Sequence, residues 1–135
     1  MQANSELLVN NALRGDVILQ HLRQTKIYFT DNEGDFFPDQ KTCIFYLSLR
    51  SLAAKSQNLS SFIVNSEFER LILICCVDTP DLNSIEVINT FCCLNGISLI
   101  LAWDNEELGR YVETISVLLE ETGIGECINL DFLTI

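Results

Sequence analysis

Seven consecutive apolar residues, Leu71 to Val77 (LILICCV), set the first constraint on the fold. A run of this length with no polar interruption reads as a strand buried on both faces, the pattern of a parallel sheet covered by helices above and below. Thr42 to Leu49 (TCIFYLSL) makes the same demand, with Phe45 and Leu47 expected on one face and Ile44 and Tyr46 on the other. Glu6 to Val9, Lys26 to Phe29 and Ser98 to Ala102 are further strand candidates.

Helical signals fall between these strands. Gly15-Asp16 opens a helix with Val17, Ile18 and Leu22 at near-helical spacing, and Ser51 to Val64 is polar and weakly helical. Pro80 fits the first turn of a helix whose stripe is Leu82, Ile85, Ile88, Phe91 and Cys92, ending at Asn95-Gly96. Asp104, with Glu107 three residues on, has the form of an N-terminal cap. Leu108, Tyr111, Val112, Ile115, Leu118 and Leu119 then line one side of a helix closed by Gly123. Asp31 to Asp39, broken by Gly34 and Pro38, reads as a loop. Strands alternating with helices predict an α/β layered sheet, and 135 residues without an internal repeat predict one domain, 1–135.

Charge narrows the function. The net charge is −11; up to Arg70 seven Lys/Arg face eight Asp/Glu, whereas from Leu71 onward Arg110 alone faces eleven acids. Phosphate backbones are held chiefly by several Lys/Arg contacts, so strong autonomous nucleic-acid binding is not expected, and a basic partner must supply much of the field. The bland alternative is an acidic surface that keeps the domain soluble. No apolar run reaches the roughly 18 residues that span a bilayer, and MQANSELLV lacks a signal peptide's basic flank, so no membrane role is expected and the compartment reads as cytosol or nucleus. The adjacent pairs Cys75-Cys76 and Cys92-Cys93 sit in apolar runs and read as reduced core residues, not as a disulfide framework.

Candidate chemistry is thin. A metal-dependent nuclease needs carboxylates and a lysine converging at strand ends. Asp39 could open such a motif, but the nearest continuation is Glu69-Arg70-Leu71, with leucine where the lysine should stand, and no lysine follows Lys55. Asp31, Glu33 and Asp35 are spaced like a calcium loop, yet Phe36 occupies the glycine position and Thr42 the glutamate position. His21 is the only histidine, so a catalytic triad would have to use it, and neither a His-based zinc cluster nor a Cys-x-x-Cys pair is available. Gly123-Ile124-Gly125 has the form of a helix-hairpin-helix turn, but Glu126 and Asp131 follow where bases would help, so a helix-stop glycine is the better account. Trp103, at a strand end, is either a core residue or an interface anchor. No cofactor, metal or small-molecule substrate is expected.

Ile97 to Thr114 (ISLILAWDNEELGRYVET) resembles the ILAW-x-x-EE-x-GRY-x-ET signature of the excision-repair cross-complementing group one family, the non-catalytic partners of the XPF structure-specific endonuclease. Leu7 to Leu22 (LLVNNALRGDVILQHL) is similar to that family's opening strand, Arg-Gly turn and helix; Lys41 to Arg50 (KTCIFYLSLR) is similar to its cysteine-bearing strand, and Leu71 to Asp78 to its next strand. The resemblance implies a three-layer nuclease-like fold of the XPF type, with a mixed, mostly parallel sheet flanked by helices and the active site lost. It implies a nuclear protein that forms a heterodimer with an XPF-like subunit and, through the complex, contacts branched or single-to-double-strand junction DNA. Ser51 to Lys55 departs from the family's Tyr-His continuation, and no tandem helix-hairpin-helix domain is expected after Gly125. The chain is then either a fragment or a divergent paralogue, and the divergence favours a meiotic crossover role over excision or cross-link repair. Partner contact is expected at Trp103, Leu108, Tyr111 and Ile115, unless that stripe packs on its own sheet. DNA contact is expected at Arg14, Arg23, Lys26, Lys41 and Arg50, unless these are simply solvated. A small active nuclease and a protein-interaction module without DNA contact are the remaining alternatives.

Overall fold

The structure, a computed structural model, describes residues 5–23, 25–31, 34–53 and 68–122. It holds strands β1 (Ser5–Asn10), β2 (Thr25–Thr30), β3 (Phe36–Asp39), β4 (Thr42–Ser48), β5 (Arg70–Cys76) and β6 (Ile97–Ala102). Its helices are α1 (Leu49–Ala53), α2 (Leu82–Asn95) and α3 (Asn105–Thr122), with 3₁₀ turns at Asn11–Leu13 and Val17–His21. The six strands form one sheet in the order β2-β1-β3-β4-β5-β6. β1 and β2 pair in parallel, as do β4, β5 and β6, while β3 runs antiparallel to both β1 and β4. Every strand except β3 therefore points the same way, and the sheet has two chemically distinct rims.

Alternation of side chains divides the core between the two faces. Leu7, Val9, Ile44, Ile72, Ile74, Cys76, Ile100 and Ala102 lie under α3 and the Val17–His21 turn. Cys43, Phe45, Leu47, Leu73, Cys75 and Ile97 lie with Ile88 and Cys92 of α2 on the other face. Cys75 and Cys76 thus belong to opposite layers, as adjacent strand residues must. Both are buried free thiols, as are Cys43 and Cys92; Cys93, however, faces outward from α2, which corrects its expected place in the core. On the α2 side the outward residues Leu8 of β1 and Tyr28 of β2 remain exposed.

Three local expectations need correction, and a fourth is covered only in part. Phe36–Asp39 is a strand, hidden in the sequence because the alternation carries Pro38 and an irregular register between Phe36 and Asp39. A proline inside a sheet is tolerated at such a break, since no ladder hydrogen bond is asked of its nitrogen. The segment after Gly15 is only one 3₁₀ turn, capped by Asp16, whose side chain accepts from the Ile18 N–H at 3.0 Å. α2 starts at Leu82 after the cap Asp81, so Pro80 lies outside the first turn. The helical expectation over Ser51 to Val64 survives only as the end of α1; its remainder, from residue 54, lies outside the described residues, as does Gly123-Ile124-Gly125.

α3 begins as the sequence indicates. Asp104 Oδ1 accepts from the Glu107 N–H at 2.9 Å, and Glu107 Oε1 reaches back to the Trp103 N–H at 2.7 Å, satisfying donors that a helix start leaves open. Gly109 lets α3 lie directly on the Val17–His21 turn. A Cβ there would meet the His21 Cβ at 2.7 Å, closer than packed carbons approach. Among the described residues no helix is long and apolar enough to cross a membrane.

Candidate partner interface

α2 differs from an ordinary covering helix. It has 14 residues (LNSIEVINTFCCLN), of which only Ile88 and Cys92 are buried, and Glu86 is its single charged residue. Leu82, Val87 and Leu94 are 77%, 57% and 80% exposed. Glu86, Asn89, Thr90 and Cys93 form an outward ridge at helical spacing. On one flank a groove of about 480 Å³ runs between α2 and β6, bounded by Ile85, Cys92, Ile97, Leu99 and Leu101. On the other, a shallower groove of about 540 Å³ is bounded by Val87, Phe91 and Leu94. β6 ends the sheet, and among the described residues no strand pairs with its outer edge. Leu82 was expected inside the α2 stripe and lies outside it, because α2 carries apolar residues around most of its circumference and the sheet covers only one side.

The stripe expected to meet a partner is occupied otherwise. Leu108, Val112, Ile115 and Leu119 are buried under α3 against the sheet, so Leu108 and Ile115 have no surface left to offer. The alternative that this stripe packs on its own sheet is the observed arrangement for them. Tyr111 is half-buried beside the same core, and its hydroxyl lies 3.4 Å from Glu107 Oε2. Trp103 is 59% exposed at the end of β6. The outer residues of α2 were missed, although their signal was legible: one charge in 14 residues of a chain in which 20% of residues are charged.

The five cationic candidates are all exposed but are not brought together. Arg14 and Arg50 follow β1 and β4 on one rim, whereas Arg23, Lys26 and Lys41 lie at or before the starts of β2 and β4 on the other. Arg14 stacks its guanidinium 4.1 Å from the Phe29 ring centre and donates to Asn11 Oδ1 at 2.8 Å. Arg50 is fixed by Asp78: its backbone N–H donates to Asp78 Oδ1 and its guanidinium to the Asp78 carbonyl, each at 2.8 Å. The Ser48 hydroxyl donates to the other Asp78 carboxylate oxygen. Burial opposes the Asp78 charge, but these donors outweigh it and hold the carboxyl below its ordinary range.

The carboxylates considered for metal chemistry have other occupations. Asp39 lies 3.9 Å from Arg70, and Glu69 lies 3.9 Å from Lys41, with Leu71 turned into the α2-side core. Asp31 accepts from Asn11 Nδ2 at 2.8 Å, while Asp35 accepts from the Tyr46 N–H at 2.8 Å; Glu33 lies outside the described residues. Burial pushes Asp35 up to about 6, against the Tyr46 N–H and with help from the charge of Asp16. Tyr46 donates its hydroxyl to Asp16 at 3.1 Å, so Asp16, Tyr46 and Asp35 form a polar tie between the Val17–His21 turn and the sheet. Burial also pushes the Cys43 and Cys75 thiols up to about 12, which leaves them protonated and unreactive. His21 is half-buried against Gly109. Among the described residues no three His, Cys, Asp or Glu side chains converge as a metal-binding group.

The family model for the binding domain of DNA repair protein Ercc1 (rad10/Swi10) matches residues 4–122. The chain belongs to the Ercc1 family. It is 32% identical over 120 residues to the DNA excision repair protein ERCC-1 of Arabidopsis thaliana, covering 86% of this chain and 29% of that protein. It is also 32% identical over 111 residues to the mating-type switching protein swi10 of Schizosaccharomyces pombe, covering 80% of this chain and 44% of that one. The chain therefore spans less than half the length of either relative. Among solved structures, XPF from Aeropyrum pernix in complex with DNA superposes with a TM-score of 0.71 over 88% of this chain and 66% of that one, at 12% identity. A second structure, XPF from Aeropyrum pernix, gives 0.72 over 87% and 68%, at 11% identity. At such identities these matches establish the fold, which is the nuclease-like α/β domain anticipated from the sequence.

Proposed function

We propose that this chain is a non-catalytic subunit that pairs with an XPF-like protein and helps place it on branched or junction DNA during DNA repair or recombination, meiotic crossover formation included. The observation that carries this reading is membership of the Ercc1 family across residues 4–122 on an XPF-like fold. The rim where a nuclease would gather charge supports it: Asp39 and Glu69 face Arg70 and Lys41, and a leucine follows in place of a lysine. The setting is nuclear. Trp103 and Tyr111 remain the contact candidates from the original stripe. For DNA, the exposed set Arg14, Arg23, Lys26, Lys41 and Arg50 adds to whatever charge the partner brings, and its division between two rims favours a subordinate contribution.

Co-expression with XPF-like proteins of the same organism, followed by size-exclusion chromatography and cleavage assays with magnesium, tests the reading. A stable heterodimer is expected, with no cleavage by the chain alone and no change in the complex's cleavage on Asp39→Ala plus Glu69→Ala. Cleavage by the isolated chain that those substitutions abolish would replace the proposal with an active nuclease. Charge reversal at Arg14, Lys26 and Arg50 is expected to weaken junction binding by the complex; unchanged affinity would favour a protein-interaction module without DNA contact.

A further inference from the structure

Nucleic acid, a second copy and a different protein are the occupants that an exposed surface such as α2 could take. Neither α2 nor β6 contains a lysine or arginine, so the surface has no group to neutralise a phosphate. A second copy would bring another −11 to a chain that already carries −11, and within the later half of the sequence acids outnumber bases eleven to one. Such self-association works against charge. A heterologous protein does not meet that obstacle. Depletion of charge around exposed leucine and valine is what the buried centre of a protein interface shows. Helices that face water throughout normally carry charge on their outer side, as α3 does with Glu106, Arg110 and Glu113.

We infer that the α2–β6 end of the molecule, with the ridge Glu86, Asn89, Thr90 and Cys93 between its two apolar grooves, is the seat of the XPF-like subunit. This rests on the heterodimer proposed above and assigns it a surface. The partner face that fits has apolar side chains to enter both grooves and a basic residue within reach of Glu86, set in a surround that is neutral or positive overall. The interface so formed rests mainly on apolar burial, with Glu86 as the single charge that α2 brings to it, and its stability should depend weakly on salt.

Cys93 is a native reporter for this surface, since the other described cysteines are buried. In a Cys127→Ser background, N-ethylmaleimide should label Cys93 readily in the chain alone and slowly in the purified heterodimer. Leu82→Glu, Val87→Glu and Leu94→Glu together should weaken the complex by about a hundredfold or more and leave the isolated chain's thermal unfolding unchanged. Equal labelling of Cys93 in the chain and in the heterodimer overturns the assignment of the surface and leaves the heterodimer intact. A heterodimer that survives the triple substitution does the same. Absence of any heterodimer with the unsubstituted chain overturns both proposals. Slow labelling of the isolated chain also overturns the inference, identifying the occupant as a second copy where protection grows with concentration and as the chain's own sequence where it does not.

Discussion

α3 and α2 cover opposite faces of one sheet, and they do it with opposite economies of charge. α3 has six charged residues in 18, with Glu106 and Arg110 exposed, and a stripe in which Leu108, Val112, Ile115 and Leu119 are buried. α2 has one in 14, and more of its large apolar residues face out than in. A clean stripe opposite a charged side is the mark of a helix complete in its own domain. A helix apolar on both sides has a second surface still to cover. For partner prediction, the informative quantity is what lies opposite the stripe, not the stripe.

The largest test of this contrast compares matched truncations. Leu108→Ala should cost about 2–5 kcal/mol of unfolding free energy by denaturant titration, whereas Leu94→Ala should stay within about 0.5 kcal/mol in the isolated chain. Similar losses at both positions would erase the distinction between the helices.

A second, smaller effect belongs to the sheet beneath α3, where Tyr46 packs. Asp35 binds its proton more tightly when folded, near pH 6, than in the unfolded chain, near 3.8. Between those values the native state holds the extra proton, so stability should fall as pH rises from about 4 to about 6 and then level off, by on the order of 3 kcal/mol. Asp35→Asn keeps an acceptor for the Tyr46 N–H and should flatten this slope in melts taken across the window. An unchanged slope would show that Asp35 is solvated and that the tie to Asp16 is slack.

The smallest of the three sharpens how closely α3 is seated. Gly109→Ala gains helix propensity of up to about 1 kcal/mol, but its Cβ must displace His21, and overpacking costs about 1–3 kcal/mol. A net loss of stability is expected, with His21 reporting the shift by NMR. A net gain would mean that the Val17–His21 turn yields easily.

How much of this was legible in the sequence follows from how local each signal is. β4 and β5 were plain because burial on both faces leaves long apolar runs, β6 because its own run is apolar although one face stays partly open, and the Asp104 cap because its partner Glu107 lies three residues away. β3 was hidden because its pairing with β1, through Leu8 and Val9, is distant in sequence, while Pro38 and Asp39 locally read as a loop. The family was readable from the block around Trp103 and Gly109; Gly109 has a packing reason to be glycine that only the fold displays. Leu108 and Ile115 were read as available because amphipathicity does not say what a stripe meets. Leu108 and Ile115 satisfied the pattern, and the protein's own sheet had first claim on them.

The common direction of five strands also sets a ruler. A strand of six or seven residues is about 20 Å long at roughly 3.3 Å per residue. Any nucleic acid that touches both Arg14 and Lys41 must bridge that length, about six phosphate steps at roughly 3.4 Å along one strand of a duplex. Oligonucleotides much shorter than this can engage one end of the domain but never both.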